Sequence, residues 1–276
     1  MAENSYFNEF KPALITTMKS YNIKSFSDDV LAGLIVAIVA LPLSMAFAIG
    51  SGASPEKGLY TAIIGGFIIS LLGGSAFQIG GPAGAFVVLI YNIIQRHGFE
   101  GLLIATFLAG FILLLMGILK LGSVIKFIPY PVTKGFSAGI AVIIFVGQLN
   151  DFFGMGIKKV PAEFFEKIVA YAEKIGNIDL TSLTVGILSV IVIVYTKKFT
   201  TKIPGPFVAV VLSVAAIKIF HLPIETVQDR FGSIPNMLPH PVLSDISIEK
   251  IRLVLPDAIT IAVLGAIESL MSAVVA

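Results

Sequence analysis

Between Gly58 and Gln95 the chain runs 38 residues without one Asp, Glu, Lys or Arg. Such a run restricts the fold severely, because a membrane span needs about 20 apolar residues and a charge at its centre costs several kcal/mol. Charge-free runs of this kind recur and divide the chain into eight predicted spans, at 30–50, 58–73, 77–94, 101–119, 132–148, 180–196, 203–220 and 258–276. Gly73-Gly74-Ser75 is a turn signal that splits the longest run into two antiparallel spans. The fold class is therefore an all-α integral membrane protein. Apolar residues make up 56% of the chain and charged residues 13%, about half the charged share of a soluble protein.

Composition also removes whole classes of function. The 19 Lys+Arg nearly balance the 17 Asp+Glu, for a net charge of +2, so the broad basic surface that a nucleic-acid partner requires is not expected. Cysteine is absent, and His97, His221 and His240 lie far apart in sequence, which argues against disulfides, thiol chemistry and His/Cys metal sites. No nucleophile, base and orienting group recur together, so neither an enzyme nor a cofactor is expected.

Residues 1–29 are polar and charged, unlike a signal peptide. Within them Phe7, Phe10, Leu14, Met18 and Tyr21 recur at helical spacing, the pattern of an interfacial helix. Lysine placement orients the remainder, residues 30–276. Lys120, Lys126 and Lys134 lie between spans four and five, and Lys197, Lys198 and Lys202 between six and seven, with no acidic residue in either loop. Both loops are expected in the cytoplasm. Lys11, Lys19 and Lys24 place the N-terminus there too. The mixed-charge connections 151–179 and 221–257 then fall outside, in a multi-pass protein of the cell membrane of bacterial inner-membrane type.

Two features carry candidate chemistry. Gly80-Gly81-Pro82-Ala83-Gly84-Ala85-Phe86 interrupts span three. Proline suits the first helical turn and the glycines disfavour helix before it, so the helix is predicted to begin at Pro82 with extended backbone in front. A helix N-terminus inside the membrane would present free N–H groups and a positive dipole end to an anion. A glycine-rich seam between helices is the competing reading. Glu268 is the second feature, the acidic residue deep within span eight, with ten uncharged residues before it and eight after. Such carboxylates are by default ion ligands or proton carriers, with a structural pairing as the alternative. Ser272 follows one turn later on the same face. Spans one and eight also align weakly, with Ser44 over Ser269, Ala48 over Ala273 and Leu43 over Glu268, as a second repeat beginning at span eight would require.

Several ordered motifs over nearly the whole chain resemble the SulP family of anion transporters. They are Ala40-Leu41-Pro42-Leu43-Ser44-Met45-Ala46-Phe47-Ala48, Gly58-Leu59-Tyr60, Gly73-Gly74-Ser75, the Gly80 to Phe86 segment, Phe127-Ile128-Pro129-Tyr130-Pro131-Val132 before Gly135-Phe136, and Glu268-Ser269-Leu270. The resemblance implies two inverted seven-span repeats, of which this chain would hold the first plus span eight, with a broken third span. The second repeat and a cytoplasmic STAS domain would be missing. It further implies secondary active transport of sulfate, bicarbonate, chloride or a dicarboxylate by alternating access, and a homodimer when complete. Ala83, Gly84, Ala85 and Phe86 would meet the anion from span three, and Leu43 and Phe47 from span one. Glu268 would couple transport to a cation, with Ser272 beside it as a further ligand if that cation is sodium. Some members carry a hydroxyl residue where Ala83 stands, so a proton is the expected partner. A nucleobase permease on the same general fold and a non-transporting membrane scaffold are the alternatives.

Overall fold

The computed structural model describes residues 11–76, 78–122, 130–158, 160–161, 163–199, 203–232, 237–239 and 246–275. Phe7, Phe10, Lys126, Phe127, Ile128, Pro129, Lys202 and His240 lie outside them. The described residues form helices and connecting segments, without a strand among them. In chain order the helices are α1 (Ala13–Thr17), α2 (Ile23–Gly50), α3 (Pro55–Tyr60), α4 (Gly66–Leu72), α5 (Val87–Ile118), α6 (Tyr130–Phe152), α7 (Phe164–Glu173), α8 (Leu180–Phe199), α9 (Gly205–Phe220), α10 (Val227–Phe231) and α11 (Ile248–Val275). Among the described residues four helical stretches, Ile23–Gly50, Gly84–Ile118, Leu180–Phe199 and Ile248–Ala273, are long and apolar enough to cross a membrane, and Ala138–Phe152 and Gly205–Phe220 are shorter apolar helices.

These elements account for the eight predicted spans with some changes of boundary. Span one begins at Ile23, capped by the Asn22 side chain, which accepts from Ser25 N–H at 2.9 Å. A cap overrides composition here, so Asp28 and Asp29 join the helix. The helical face predicted for the N-terminal segment is shorter than its periodicity implied: α1 and a 3₁₀ turn at Met18–Ser20 carry Leu14 and Met18, whereas Tyr21 is extended. Span two is α3 and α4 joined by a π-helical stretch, Thr61–Gly65.

Spans three and four form one helical stretch that reverses at Gly98, whose φ of 67° and ψ of −178° are outside the helical region. A Cβ at Gly265 of α11 would lie 3.8 Å from Phe86 Cζ and 3.9 Å from Leu113 Cδ1. In a straight helix those two residues would stand about 40 Å apart at 1.5 Å per residue, so the two arms of α5 run back along each other beside α11. Glycine permits this reversal because it adopts positive φ without a Cβ clash.

The arms and α11 enclose the buried core: Ile93, Ile104, Ala105 and Ala109 against Val254, Ala258, Ile261 and Ala262. The four alanines among them let the helices approach closely where lipid offers no hydrophobic drive. Span eight starts ten residues before the expected Ala258, because the charged stretch ahead of it is compensated by the α5 reversal. Asp257 accepts from Arg96 Nη2 at 2.8 Å and stands 3.2 Å from His97 Nε2, while Lys250 Nζ lies 3.2 Å from Glu100.

A second cap starts α8. Asp179 accepts from the N–H groups of Thr181 at 3.2 Å and Ser182 at 2.8 Å and from Ser182 Oγ at 2.6 Å. These bonds, led by the Ser182 hydroxyl, hold the Asp179 carboxyl below its ordinary range. A group with a depressed folded-state pKa stabilises the fold above its unfolded value, about 3.9 for Asp, and loses that contribution as pH falls through the folded value. Asp179→Asn should therefore lower the melting temperature at neutral pH, by a margin that closes in strong acid. An equal margin at both extremes would mean that the carboxylate charge is not the stabilising element.

Candidate functional site

The extended segment expected ahead of the half-helix is present, but the helix begins two residues later than Pro82. Ala83 is extended, with φ −124° and ψ 120°, and a 3₁₀ turn at Gly84–Phe86 leads into α5. Tertiary contact selects this register: Gly84 is buried, and a Cβ there would fall 2.7 Å from Ile144 Cγ1 of α6 and 3.3 Å from Phe47 Cζ of α2. The 14 residues from Gly84 to His97 then make a half-span of about 21 Å.

Helix geometry leaves the first N–H groups without intrahelical acceptors. Phe86 N–H reaches Ala83 O at 3.2 Å, whereas those of Gly84 and Ala85 find no acceptor among the described residues. In front of this turn lies a cavity of about 590 Å³ lined by Phe47, Gly84, Ile144, Tyr91, Gln95 and, toward the 151–179 connection, Asp151, Lys158 and Lys167. Free N–H groups and the positive end of the helix dipole can hold an anion there without a formal charge.

Of the six residues expected to meet the anion, Phe47 and Gly84 line this cavity and Leu43, Ala83, Ala85 and Phe86 do not. Phe86 is a packing residue in this structure. Its ring packs against the α5–α11 core and reaches the Gly265 position. Phe86 N–H is also occupied. The two arms meeting at Gly265 fix the level of Glu268 as well. It lies less than one turn past Gly265 in α11, and Ser269 and Ser272, just beyond it, meet Gln78 of the extended segment.

Glu268 is partly buried, and its Oε2 has no hydrogen-bond partner among the described residues. Ser272, one turn on, is committed elsewhere: its hydroxyl bonds Gln78 Nε2 and donates to Ser269 O at 3.3 Å. Gln78 Nε2 also donates to Ser269 O at 2.7 Å. Gln78 therefore ties the extended segment to span eight, a role with no local signature, because the partners are 191 and 194 residues away in sequence. Among the described residues no group of three His, Cys, Asp or Glu side chains is arranged to hold a metal ion.

The model of the sulfate permease family matches residues 26–276. The putative sulfate transporter YvdB of Bacillus subtilis is 41% identical over 259 residues, covering 94% of this chain and 49% of that protein. The bicarbonate transporter BicA of Picosynechococcus is 32% identical over 268 residues, covering 92% and 46%. The chain thus spans about half the length of the curated relatives it matches. Among solved structures, the transmembrane domain of a cyanobacterial bicarbonate transporter BicA aligns with a TM-score of 0.75 at 28% identity, covering 92% of this chain and 66% of that one.

Proposed function

The chain belongs to the sulfate permease family, and on that premise we propose that it forms the first half of a secondary active anion transporter. In this reading it supplies one repeat of a 7+7 inverted fold plus span eight, and works by alternating access. The observation that carries the proposal is the half-helix start at Gly84, which lacks an acceptor for its N–H and lines a cavity walled by Phe47 and Ile144. One such end carries only about half a unit of positive charge, so a second half-helix from the other repeat completes the site. The substrate is a small anion of the sulfate, bicarbonate, chloride or dicarboxylate kind, and the functional protein is a homodimer.

Uptake of labelled sulfate, bicarbonate and chloride by the full-length protein in liposomes tests this. Gly84→Val should reduce anion binding at least about tenfold by covering the N–H donors. The added side chain also crowds Ile144. The double variant Gly84→Val/Ile144→Ala relieves that crowding and should bind no better if the donors are what matters. Recovery in the double variant would make Gly84 a packing position. Gln95 and Gln148 line the same cavity and are groups that a nucleobase would pair with, so saturable uptake of uracil in place of any anion would favour the permease alternative.

The lysine-bearing loops support a cytoplasmic N-terminus and an external 151–179 connection. In a chain with no native cysteine, Glu166→Cys should react with an impermeant thiol reagent on intact cells and Lys198→Cys should be protected. The reverse pattern would invert the topology.

A further inference from the structure

We infer that Lys167 of α7 is an anion-capture site at the mouth of the cavity, taking an incoming small inorganic anion on its ammonium before the anion reaches Gly84. This rests on the reading of the cavity as the anion path.

The helix that carries Lys167 is turned the unexpected way round. It exposes Phe165 (77%), Ile168 (43%) and Val169 (57%) and buries Lys167 (8%) and Tyr171 (6%). Burying a lysine while apolar neighbours stay exposed costs free energy on both counts. Buried ammonium groups are normally paired, yet Lys167 makes no side-chain hydrogen bond or ion pair among the described residues. Its two acidic neighbours on the same segment, Glu163 and Glu166, are exposed. Burial holds its ammonium below the ordinary lysine range.

The surroundings fit an anion. Lys167 lines the cavity that Gly84 and Phe47 also line. The charged groups in that lining are Lys158, Lys167 and Asp151, two positive to one negative, and Asp151 already accepts from Asn150 Nδ2 at 2.9 Å. One turn from Lys167 on the same face, the Tyr171 hydroxyl is buried beside the Asn150 backbone and finds no acceptor for its proton among the described residues. Burial and then the Asp151 charge push that hydroxyl up to about 12, so it stays a neutral donor. An anion entering from the 151–179 side would compensate the Lys167 charge, and the helix end at Gly84 would then compete for it.

The test is sided. With the full-length protein in right-side-out and inside-out vesicles, labelled sulfate, bicarbonate and chloride are offered from each face and KM and maximal rate are measured. Lys167→Gln should raise KM about tenfold on the face bearing the 151–179 connection, the loss of one charge-assisted contact. KM on the opposite face should stay within about twofold, with the maximal rate from that face falling in proportion, because the overall equilibrium ties the ratio of maximal rate to KM in the two directions. Lys167→Arg should restore the affinity. The melting temperature of Lys167→Gln should not fall, because an uncompensated buried charge has been removed. An unchanged KM on the connector face, or an equal rise on both faces, overturns the proposal. So does a lowered melting temperature rescued by Lys167→Met and not by Lys167→Arg, which would make the side chain a packing element. Failure of the wild type to take up any of the three anions would strike the transport reading itself, and is distinguishable because no variant is involved.

Discussion

Gly58→Ala in the full-length protein is expected to cost about 3 kcal/mol or more of stability and to leave little monodisperse protein after extraction. Gly58 begins the long uncharged run, and it is where the second span crosses the first. A Cβ built there falls 2.3 Å from the carbonyl oxygen of Ser44 and 2.8 Å from Ala48 Cβ. The first of these is backbone, so no rotamer change relieves the contact and the two helices must separate. Ser44 is itself buried, with its hydroxyl donating to Ala40 O at 2.6 Å, so separation opens a small-residue seam that close backbone approach holds together. Gly33 in the same first span is the control. Nothing lies within 4 Å of a Cβ there, and Gly33→Ala should be neutral or stabilising, since alanine favours a helix over glycine by up to about 1 kcal/mol. Thermal unfolding of the two variants, followed by size-exclusion chromatography, decides the matter. Equal behaviour would mean that the first two spans do not meet as described.

Glu268→Gln should abolish the dependence of uptake on an inward pH gradient while anion binding persists. Glu268 immediately precedes Ser269, through which Gln78 pins the extended segment to span eight. A carboxylate oxygen buried in an apolar span without a partner calls for a cation. Sodium would need several oxygen ligands. Ser272 is engaged by Gln78 and Ser269, and Ala83 has no side-chain oxygen. Hydrogen-bonding a single proton makes no such demand. Glutamine keeps the shape and removes the titration, so gradient-driven accumulation should fall to the level reached without a gradient. Wild-type uptake that follows sodium and ignores pH would sink the proton assignment. Unaltered coupling in Glu268→Gln would make the residue structural.

Charge-free runs of about span length were enough to place the helices, because the cost of burying a charge in lipid acts on each residue separately and needs no knowledge of its neighbours. The break before Gly84 was legible for the same reason: the propensities of Gly80, Gly81 and Pro82 are local. Elements that depend on partners far away in sequence were not legible. The half-helix starts at Gly84 and not at Pro82 because Ile144 and Phe47 close on that glycine. Span eight reaches back to Ile248 because Arg96 pairs with Asp257, with His97 beside it. Phe86, part of the motif, faces the core, whereas Lys167, inside an unremarkable charged connection, lines the cavity. Local chemistry along the chain thus determined which segments form long apolar helices and where one of them breaks. Which side chains meet across the resulting gaps was decided by the tertiary structure alone, because close packing and charge compensation are properties of pairs that the folded chain brings together.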